Sequence, residues 1–129
     1  MLQRITPPTV AAPAGAYSHG IMTHGSGTCL HVAGQIGMTQ DGRLLEGFEA
    51  QADQAWKNLV AVLEAADMNV LHLVKVTTYL TRAADLPRLN AVRSVYLGTA
   101  RPASTLLVVA ALANPDWCFE VEATAFRPD

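Results

Sequence analysis

The hydrophobic positions along the chain follow two different periods, and the segment from Phe48 to Asp67 has the period of a helix. Its apolar residues follow the i, i+3, i+4 spacing of one helix face: Phe48, Ala52, Ala55, Trp56, Leu59, Val60, Leu63 and Ala66. A second helix is predicted after Asp85, a candidate N-cap, with Pro87 in its first turn and Gly98 at its end.

The other apolar segments are rich in β-branched residues, which is typical of strands. The predicted strands cover residues 17–23, 28–34, 32–38, 70–81, 104–112 and 118–126. The glycines of His24-Gly25-Ser26-Gly27 predict a hairpin turn between the first two strands, and Ala113-Asn114-Pro115-Asp116 predicts a turn between the last two. Because strand–helix–strand units need crossover connections, we expect both helices on one face of a mixed sheet.

The opposite face of this sheet has no predicted cover within one chain. The segment 106–109 is apolar on both faces, and 50% of the 129 residues are hydrophobic while only 16% are charged. A domain of this size must cover much of its surface with polar groups, so this composition favours burial against a neighbouring chain. We therefore expect residues 1–129 to form one α+β domain that assembles with copies of itself.

Composition and charge exclude several classes of protein. A net charge of −2 and a pI near 6.0, with no run of like charge, disfavour binding to nucleic acid or to anionic membranes. The segment Met1–Gly15 lacks the apolar run of a signal peptide, and no stretch is long enough to span a bilayer, so a cytoplasmic protein is expected. Cys29 and Cys118 are expected to be buried, reduced thiols, and the spacing of the four histidines predicts no metal site.

The most informative acidic residues are Glu120 and Glu122, which alternate with apolar residues in the last predicted strand. Side chains two apart on a strand point to the same face and lie roughly 7 Å apart. One interpretation is a sheet face that presents both carboxylates to solvent or to an arginine of another subunit. The other places one of them in a pocket between subunits, where burial would raise its pKa and suit it to proton transfer or to holding a water.

Hydroxyl groups near the strand after Arg101-Pro102 are weaker candidates. Ser104 and Thr105 could donate hydrogen bonds to backbone or to a ligand, but no histidine and carboxylate stand at the spacing of a catalytic triad. Tyr17 is either a packing residue with its hydroxyl at a rim or a ligand contact. The glycines at 25 and 27 lie between strands rather than before a helix, so no nucleotide cofactor is indicated.

Four motifs together resemble the RidA/YjgF family of small enamine/imine deaminase-like proteins, also called the endoribonuclease L-PSP or translation-inhibitor family. The motifs are Gly15-Ala16-Tyr17-Ser18-His19-Gly20, Val32-Ala33-Gly34-Gln35-Ile36-Gly37, Arg101-Pro102-Ala103-Ser104-Thr105 and Phe119-Glu120-Val121-Glu122-Ala123-Thr124-Ala125. Segments 51–59 and 89–96 also match in order and spacing, so the resemblance covers nearly the whole chain.

The resemblance implies a chorismate-mutase-like α+β fold, a homotrimer whose sheets form a central barrel, and three small-molecule clefts between subunits. It further implies hydrolysis of 2-aminoacrylate and related enamines or imines to keto acids and ammonia, without metal or organic cofactor. The residues that the resemblance places in the cleft are Glu120 as the catalytic group that positions water, and Tyr17, Gly34, Asn90, Ser104 and Leu106 as ligand-binding residues.

One departure from the family pattern changes the expected substrate. Ser104 stands where active members carry an arginine for the substrate carboxylate, and Leu106 stands where they carry a cysteine. A serine hydroxyl cannot replace a charge-assisted bidentate pair. The preferred hypothesis is therefore a RidA-like pocket protein that hydrolyses an enamine or imine other than 2-aminoacrylate. The alternative is a non-catalytic small-molecule-binding trimer, and a weaker one is a ribonuclease or translation inhibitor.

Overall fold

A computed structural model describes all residues from 1 to 129, in six strands and two α-helices. The strands are β1 (Leu2–Ile5), β2 (Gly20–Thr23), β3 (Gly27–Gln35), β4 (Leu73–Leu80), β5 (Ala103–Val108) and β6 (Phe119–Pro128), and the helices are α1 (Phe48–Ala65) and α2 (Leu86–Leu97). Short 3-10 turns at Val70–His72 and Ala83–Asp85 precede β4 and α2. Neither helix combines the length and the apolar character that crossing a membrane requires.

The main sheet has four strands in the order β3-β6-β4-β5, and β1 and β2 form a separate two-stranded sheet. Strands β4 and β5 are parallel and are joined through α2, whereas β6 is antiparallel to both β3 and β4. A parallel pair needs such a crossover because its strands start at the same edge of the sheet. The predicted α+β fold, with two helices packed on a mixed sheet, is confirmed.

The core lies between α1 and the sheet, because the apolar stripe predicted from the sequence is the buried face of that helix. The fully buried side chains of α1 include Trp56, Leu59 and Leu63. Trp56 stacks on the ring of Tyr96 from α2, with 6.0 Å between ring centroids and 12° between the planes. Truncating an aromatic side chain packed in this way costs about 3–5 kcal/mol, so this contact fixes α2 beside α1.

The face of the sheet opposite the helices is covered by no helix and no second sheet layer of the chain, and we call it the open face. On β6, the residues that point to the helices are buried, whereas Glu120, Glu122 and Thr124 alternate with them and are half-buried. Strand β5 at the edge carries the exposed side chains of Leu106, Leu107 and Val108. The expectation that one face of the sheet stays uncovered in a single chain is therefore confirmed.

The predicted hairpin across His24-Gly25-Ser26-Gly27 is wrong, because β2 and β3 belong to different sheets. Strand β2 pairs with β1, while β3 pairs with β6. The glycine-rich segment thus marks a change of sheet, which Gly25 makes with a φ of 76°. Strand β1 was not predicted, since Gln3 and Arg4 are polar and the strand exists through its long-range pairing with β2.

Asp85 stands at the N-cap position of α2, as predicted, but its side chain does not cap the helix. Its backbone is helical, with φ −84° and ψ −13°, whereas a capping residue is usually extended. The carboxylate is fully buried and accepts hydrogen bonds from Arg82 at 3.2 Å and from Arg88. Ion pairs between this buried carboxylate and two partly exposed arginines therefore replace the predicted cap.

The expectation of two buried thiols is wrong for Cys29 and holds only in part for Cys118. Cys29 is exposed because it lies on the uncovered side of the edge strand β3. Cys118 is half-buried, and burial raises the pKa of its thiol. Its Sγ lies 3.2 Å from Oε1 of Gln51 on α1.

Candidate functional site

The acidic pair of β6 lies on the open face together with a tyrosine from the neighbouring strand. Tyr79 on β4 is opposite Glu120 in the register, and its hydroxyl donates a hydrogen bond to Oε1 of Glu122. That bond, and then burial, raise the pKa of Tyr79. The three side chains share the lining of a cavity of about 340 Å³ with Val109, Ala111, Leu112 and Ala113.

Glu120 differs from Glu122 because no side chain or backbone group donates to its carboxylate. Burial, and next the neighbouring charge of Glu122, raise the pKa of Glu120. The carboxyl group lies directly against Gly34, where an added Cβ would overlap Oε2 and lie 2.8 Å from the carboxyl carbon. A bulge in β3 between Val32 and Gln35 places this glycine, so the absence of a side chain there leaves the space that Glu120 occupies.

The two candidate residues on β5, Ser104 and Leu106, form a second group, on the helix side of the sheet. The contact between Lys75 and Thr105 places Thr105 on the open face. Since side chains alternate along a strand, Ser104 and Leu106 point to the helix side, where the latter is 39% exposed.

Tyr17 lies beside the beginning of β5. Its neighbour Ser18 pairs with Ala103, and the backbone N–H of Ser18 donates to the carbonyl of Pro102 at 3.0 Å. The ring of Tyr17 packs edge-on against His19, with centroids 5.8 Å apart. The segment that carries the tyrosine is therefore attached to the strand that carries Ser104.

Asn90 is exposed on α2, in the helix layer, and its Oδ1 accepts a hydrogen bond from Arg93 at 2.6 Å. Strand β4 separates β6 from β5, which puts roughly 10 Å between those two strands. A single chain thus brings Glu120 and Gly34 together on the open face. It holds Ser104 and Leu106 on the opposite side of the sheet, with Asn90 in the helix layer.

Arg101, which lies three positions before Ser104, does not take the place of the missing arginine. Its Nη1 donates to the carbonyls of Gly98 at 2.9 Å and Ala100 at 2.7 Å, so the guanidinium is turned back on its own loop. The guanidinium of Arg101 is therefore directed away from Ser104.

Sequence reasoning did not single out Tyr79 as part of the site. The signal was available, because Lys75, Thr77 and Tyr79 alternate with buried residues of β4 and so share one face of the sheet. What the sequence could not provide is the register that sets Tyr79 opposite Glu120. The structure contains no group of three or more His, Cys, Asp or Glu side chains placed to hold a metal ion.

Comparison with known proteins agrees with the motifs. Residues 8–127 match the family model described as Endoribonuclease L-PSP. The chain belongs to the RidA/YjgF family. Its relatives in that family include the 2-iminobutanoate/2-iminopropanoate deaminase of Rattus norvegicus, which is 36% identical over 123 residues, covering 92% of this chain and 87% of that protein. A RutC family protein of Pyrococcus horikoshii is 34% identical over 117 residues, covering 89% of this chain and 90% of its own length.

Solved structures of RidA/YjgF-family proteins share the fold. The Rid-family protein YyfB of Yersinia pestis superposes with a TM-score of 0.85 at 32% identity, covering 96% of this chain and 97% of its own. The YjgF gene product of E. coli gives a TM-score of 0.72 at 29% identity, with 97% and 98% coverage. These likenesses support a RidA-like function at the level of the family.

Proposed function

We propose that the protein is a RidA-like enzyme that hydrolyses an enamine or imine other than 2-aminoacrylate, in pockets that two copies of the chain form together. The observation that carries this proposal is the carboxyl group of Glu120. It lies on the open face against Gly34, accepts no hydrogen bond from the protein, and has a raised pKa. A carboxyl group of this kind is suited to exchange protons with a bound water or substrate.

The separation of the candidate residues supports a pocket shared between subunits. Glu120 and Gly34 lie on the open face, whereas Ser104 and Leu106 lie at the sheet edge on the opposite side. A second chain that covered the open face with its own β5 edge would bring the two groups together and would bury Leu107 and the other exposed apolar side chains of β5. The family resemblance implies that this assembly is a homotrimer.

The proposed reaction adds water across a C=N bond. The ionised Glu120 accepts a proton from water as the oxygen attacks the carbon of the protonated imine, and the π electrons of the C=N bond move to nitrogen, which gives a neutral tetrahedral amino alcohol. The same carboxyl group then returns that proton to nitrogen, and the C–N bond breaks with its electron pair going to nitrogen, so that ammonia leaves. The hydroxyl proton passes to the carboxylate of Glu120 as the C=O bond forms, and Glu120 releases it to solvent. One carboxyl group can serve both steps because burial raises its pKa above the ordinary value, which makes the carboxylate a better base for water.

Ser104 and Leu106 determine the substrate class in this proposal. The rat relative is named for two imino acids, which carry a carboxylate. The chain has a neutral hydroxyl at Ser104 and an aliphatic side chain at Leu106. Since a neutral hydrogen bond is about half as strong as a charge-assisted one, a substrate without that carboxylate fits these residues better.

The test measures release of ammonia and carbonyl product. Enzymatically generated 2-aminoacrylate and a set of uncharged imines are supplied to the wild type, to Ser104→Arg and to Glu120→Gln, with buffer as the blank. We expect acceleration of uncharged imines by the wild type, its loss in Glu120→Gln, and acceleration of 2-aminoacrylate only by Ser104→Arg. Full turnover in Glu120→Gln would remove the proposed role of this residue, and rapid hydrolysis of 2-aminoacrylate by the wild type would overturn the substrate class.

The second candidate is a small-molecule-binding protein without turnover. The observation that favours it is the replacement of both family residues at Ser104 and Leu106, while Glu120 and Gly34 are kept. In that case a ligand raises the thermal transition of the protein through preferential binding to the folded state, and no product forms. The same panel of imines, followed by thermal shift as well as by product release, separates the two functions.

A further inference from the structure

A second cavity, of about 190 Å³, lies outside the candidate site and has a mixed cationic and apolar lining. It is bounded by the β1–β2 sheet, by the beginning of β4 and by the loop that precedes β5. Its charged side chains are Arg4 and Arg101, and its apolar wall consists of Leu2, Ile21, Leu71 and Leu73. Leu71 is 61% exposed, whereas Leu73, two residues further along the chain, is 3% exposed and belongs to the core.

Neither arginine in this cavity is neutralised by the protein. Arg82 and Arg88 pair with carboxylates, whereas Arg4 and Arg101 have no acidic partner within 4.0 Å. The Nε of Arg4 donates to Ser18 Oγ at 2.9 Å, and the Nη1 of Arg101 donates to two backbone carbonyls. The terminal nitrogens of Arg4 and the Nη2 of Arg101 have no acceptor in the protein, so each guanidinium keeps donors for a ligand.

One buried residue links the side chain of Arg4 to the backbone of Arg101. The Ser18 side chain is 2% exposed, accepts from Arg4, and donates to the backbone carbonyl of Arg101. Ser18 thus orders the Arg4 side chain, and the carbonyls of Gly98 and Ala100 order the Arg101 side chain, before any ligand arrives. Exposed ion pairs are weak partly because long side chains lose conformational entropy when they pair. Because these two arginines are already ordered, less entropy is lost when an anion binds.

We infer that this cavity is a binding site for an aliphatic carboxylate. The planar guanidinium groups of Arg4 and Arg101 match the two oxygens of a carboxylate, and the short hydrocarbon chain would lie along Leu71 and Leu73. A fully hydrated anion such as phosphate would leave this apolar wall unused. The size of the cavity limits the chain to a few carbons.

The test is a titration of the wild-type protein with sodium butanoate, followed by the amide chemical shifts in nuclear magnetic resonance spectra. Saturable shifts are expected at the amides of residues 99–101, with no such response to butylamine and a weaker one to inorganic phosphate. Arg4→Gln and Arg101→Gln should each weaken butanoate binding by about tenfold or more, because each removes charge-assisted hydrogen bonds. Arg43→Gln is the matched control, since Arg43 is exposed and does not line the cavity.

A second variant keeps the test decisive if an arginine substitution disturbs the fold. Leu71→Glu places a negative charge at the exposed end of the apolar wall without touching the core, and it should abolish butanoate binding while the arginines remain. The inference is overturned if butanoate gives no saturable shifts, if the shifts cluster elsewhere, or if phosphate binds as tightly as butanoate. It is also overturned if Arg43→Gln weakens binding as much as Arg4→Gln in folded protein.

Discussion

Two glycines three residues apart, Gly34 and Gly37, should respond very differently to the same substitution by alanine. At Gly34 the new methyl group would overlap the carboxyl end of Glu120, a flexible side chain that can rotate away. At Gly37 it would meet Gln51 of α1, lying 2.6 Å from its Cβ and overlapping its Cα. The backbone of a packed helix cannot rotate away, so the whole first turn of α1 must shift.

The destabilisation expected from Gly37→Ala follows from the hydrogen bonds that Gln51 makes. This buried side chain donates to the carbonyl of Asp116 at 3.1 Å and accepts from the backbone N–H of Cys118 at 2.9 Å, which ties α1 to the segment before β6. Forcing a methyl group into such a contact costs about 2–3 kcal/mol. At roughly 4 °C per kcal/mol for a domain of this length, Gly37→Ala should lower the Tm by about 8–12 °C.

Gly34→Ala should instead leave the Tm within about 4 °C of the wild type, because the loss of unfolded-chain entropy offsets part of the steric cost. Its effect appears on Glu120, whose carboxyl group moves towards solvent so that its pKa falls towards the ordinary value. Thermal unfolding and a carbon-detected titration of the Glu120 carboxyl measure the two effects. Equal destabilisation by both substitutions, or an unchanged Glu120 pKa in Gly34→Ala, would refute this reasoning.

Three further predictions concern single side chains. Because the pKa of Glu120 is raised in the folded state, the folded protein binds more protons than the unfolded chain above pH 4.5, and the free energy of unfolding falls as pH rises through the raised pKa. In denaturant titrations, Glu120→Gln should therefore leave the free energy of unfolding unchanged at pH 3 and increase it at pH 7. Burial raises the pKa of Tyr96 to about 12, so Tyr96→Phe should remove the last phenol to ionise in an ultraviolet titration. Asp85→Asn should cost about 1–3 kcal/mol by chemical denaturation, since it removes the buried anion between Arg82 and Arg88, and an unchanged midpoint would contradict that role.

The sequence predicted those elements whose own periodicity decides their structure. Helix α1 was predictable because its apolar stripe is the face that packs on the sheet. It ends at Ala65, two residues before the predicted boundary at Asp67. The shared face of Glu120 and Glu122 was also predictable, since alternation along a strand needs no knowledge of its neighbours.

The features that were missed depend on long-range pairing. Strand β1 pairs with β2. The glycine-rich segment after β2 does not by itself show whether β2 pairs with β1 or with β3. The approach of Glu120 to Gly34 depends on a bulge that changes the register of β3 against β6. Asp85 is of a residue type that often caps helices, which is why a cap was predicted. Its burial beside Arg82 depends on how the 3-10 turn packs, and the sequence pattern does not show that packing.

The edge strand β5 also has a consequence for the newly made chain. After its first residue, which pairs with Ser18, the strand presents free backbone groups beside Leu106, Leu107 and Val108, with no lysine or proline among them. Only Arg101 and Pro102 at its beginning act as gatekeepers against aggregation. During synthesis this edge can pair with any extended apolar segment, so aggregation competes with the assembly proposed above.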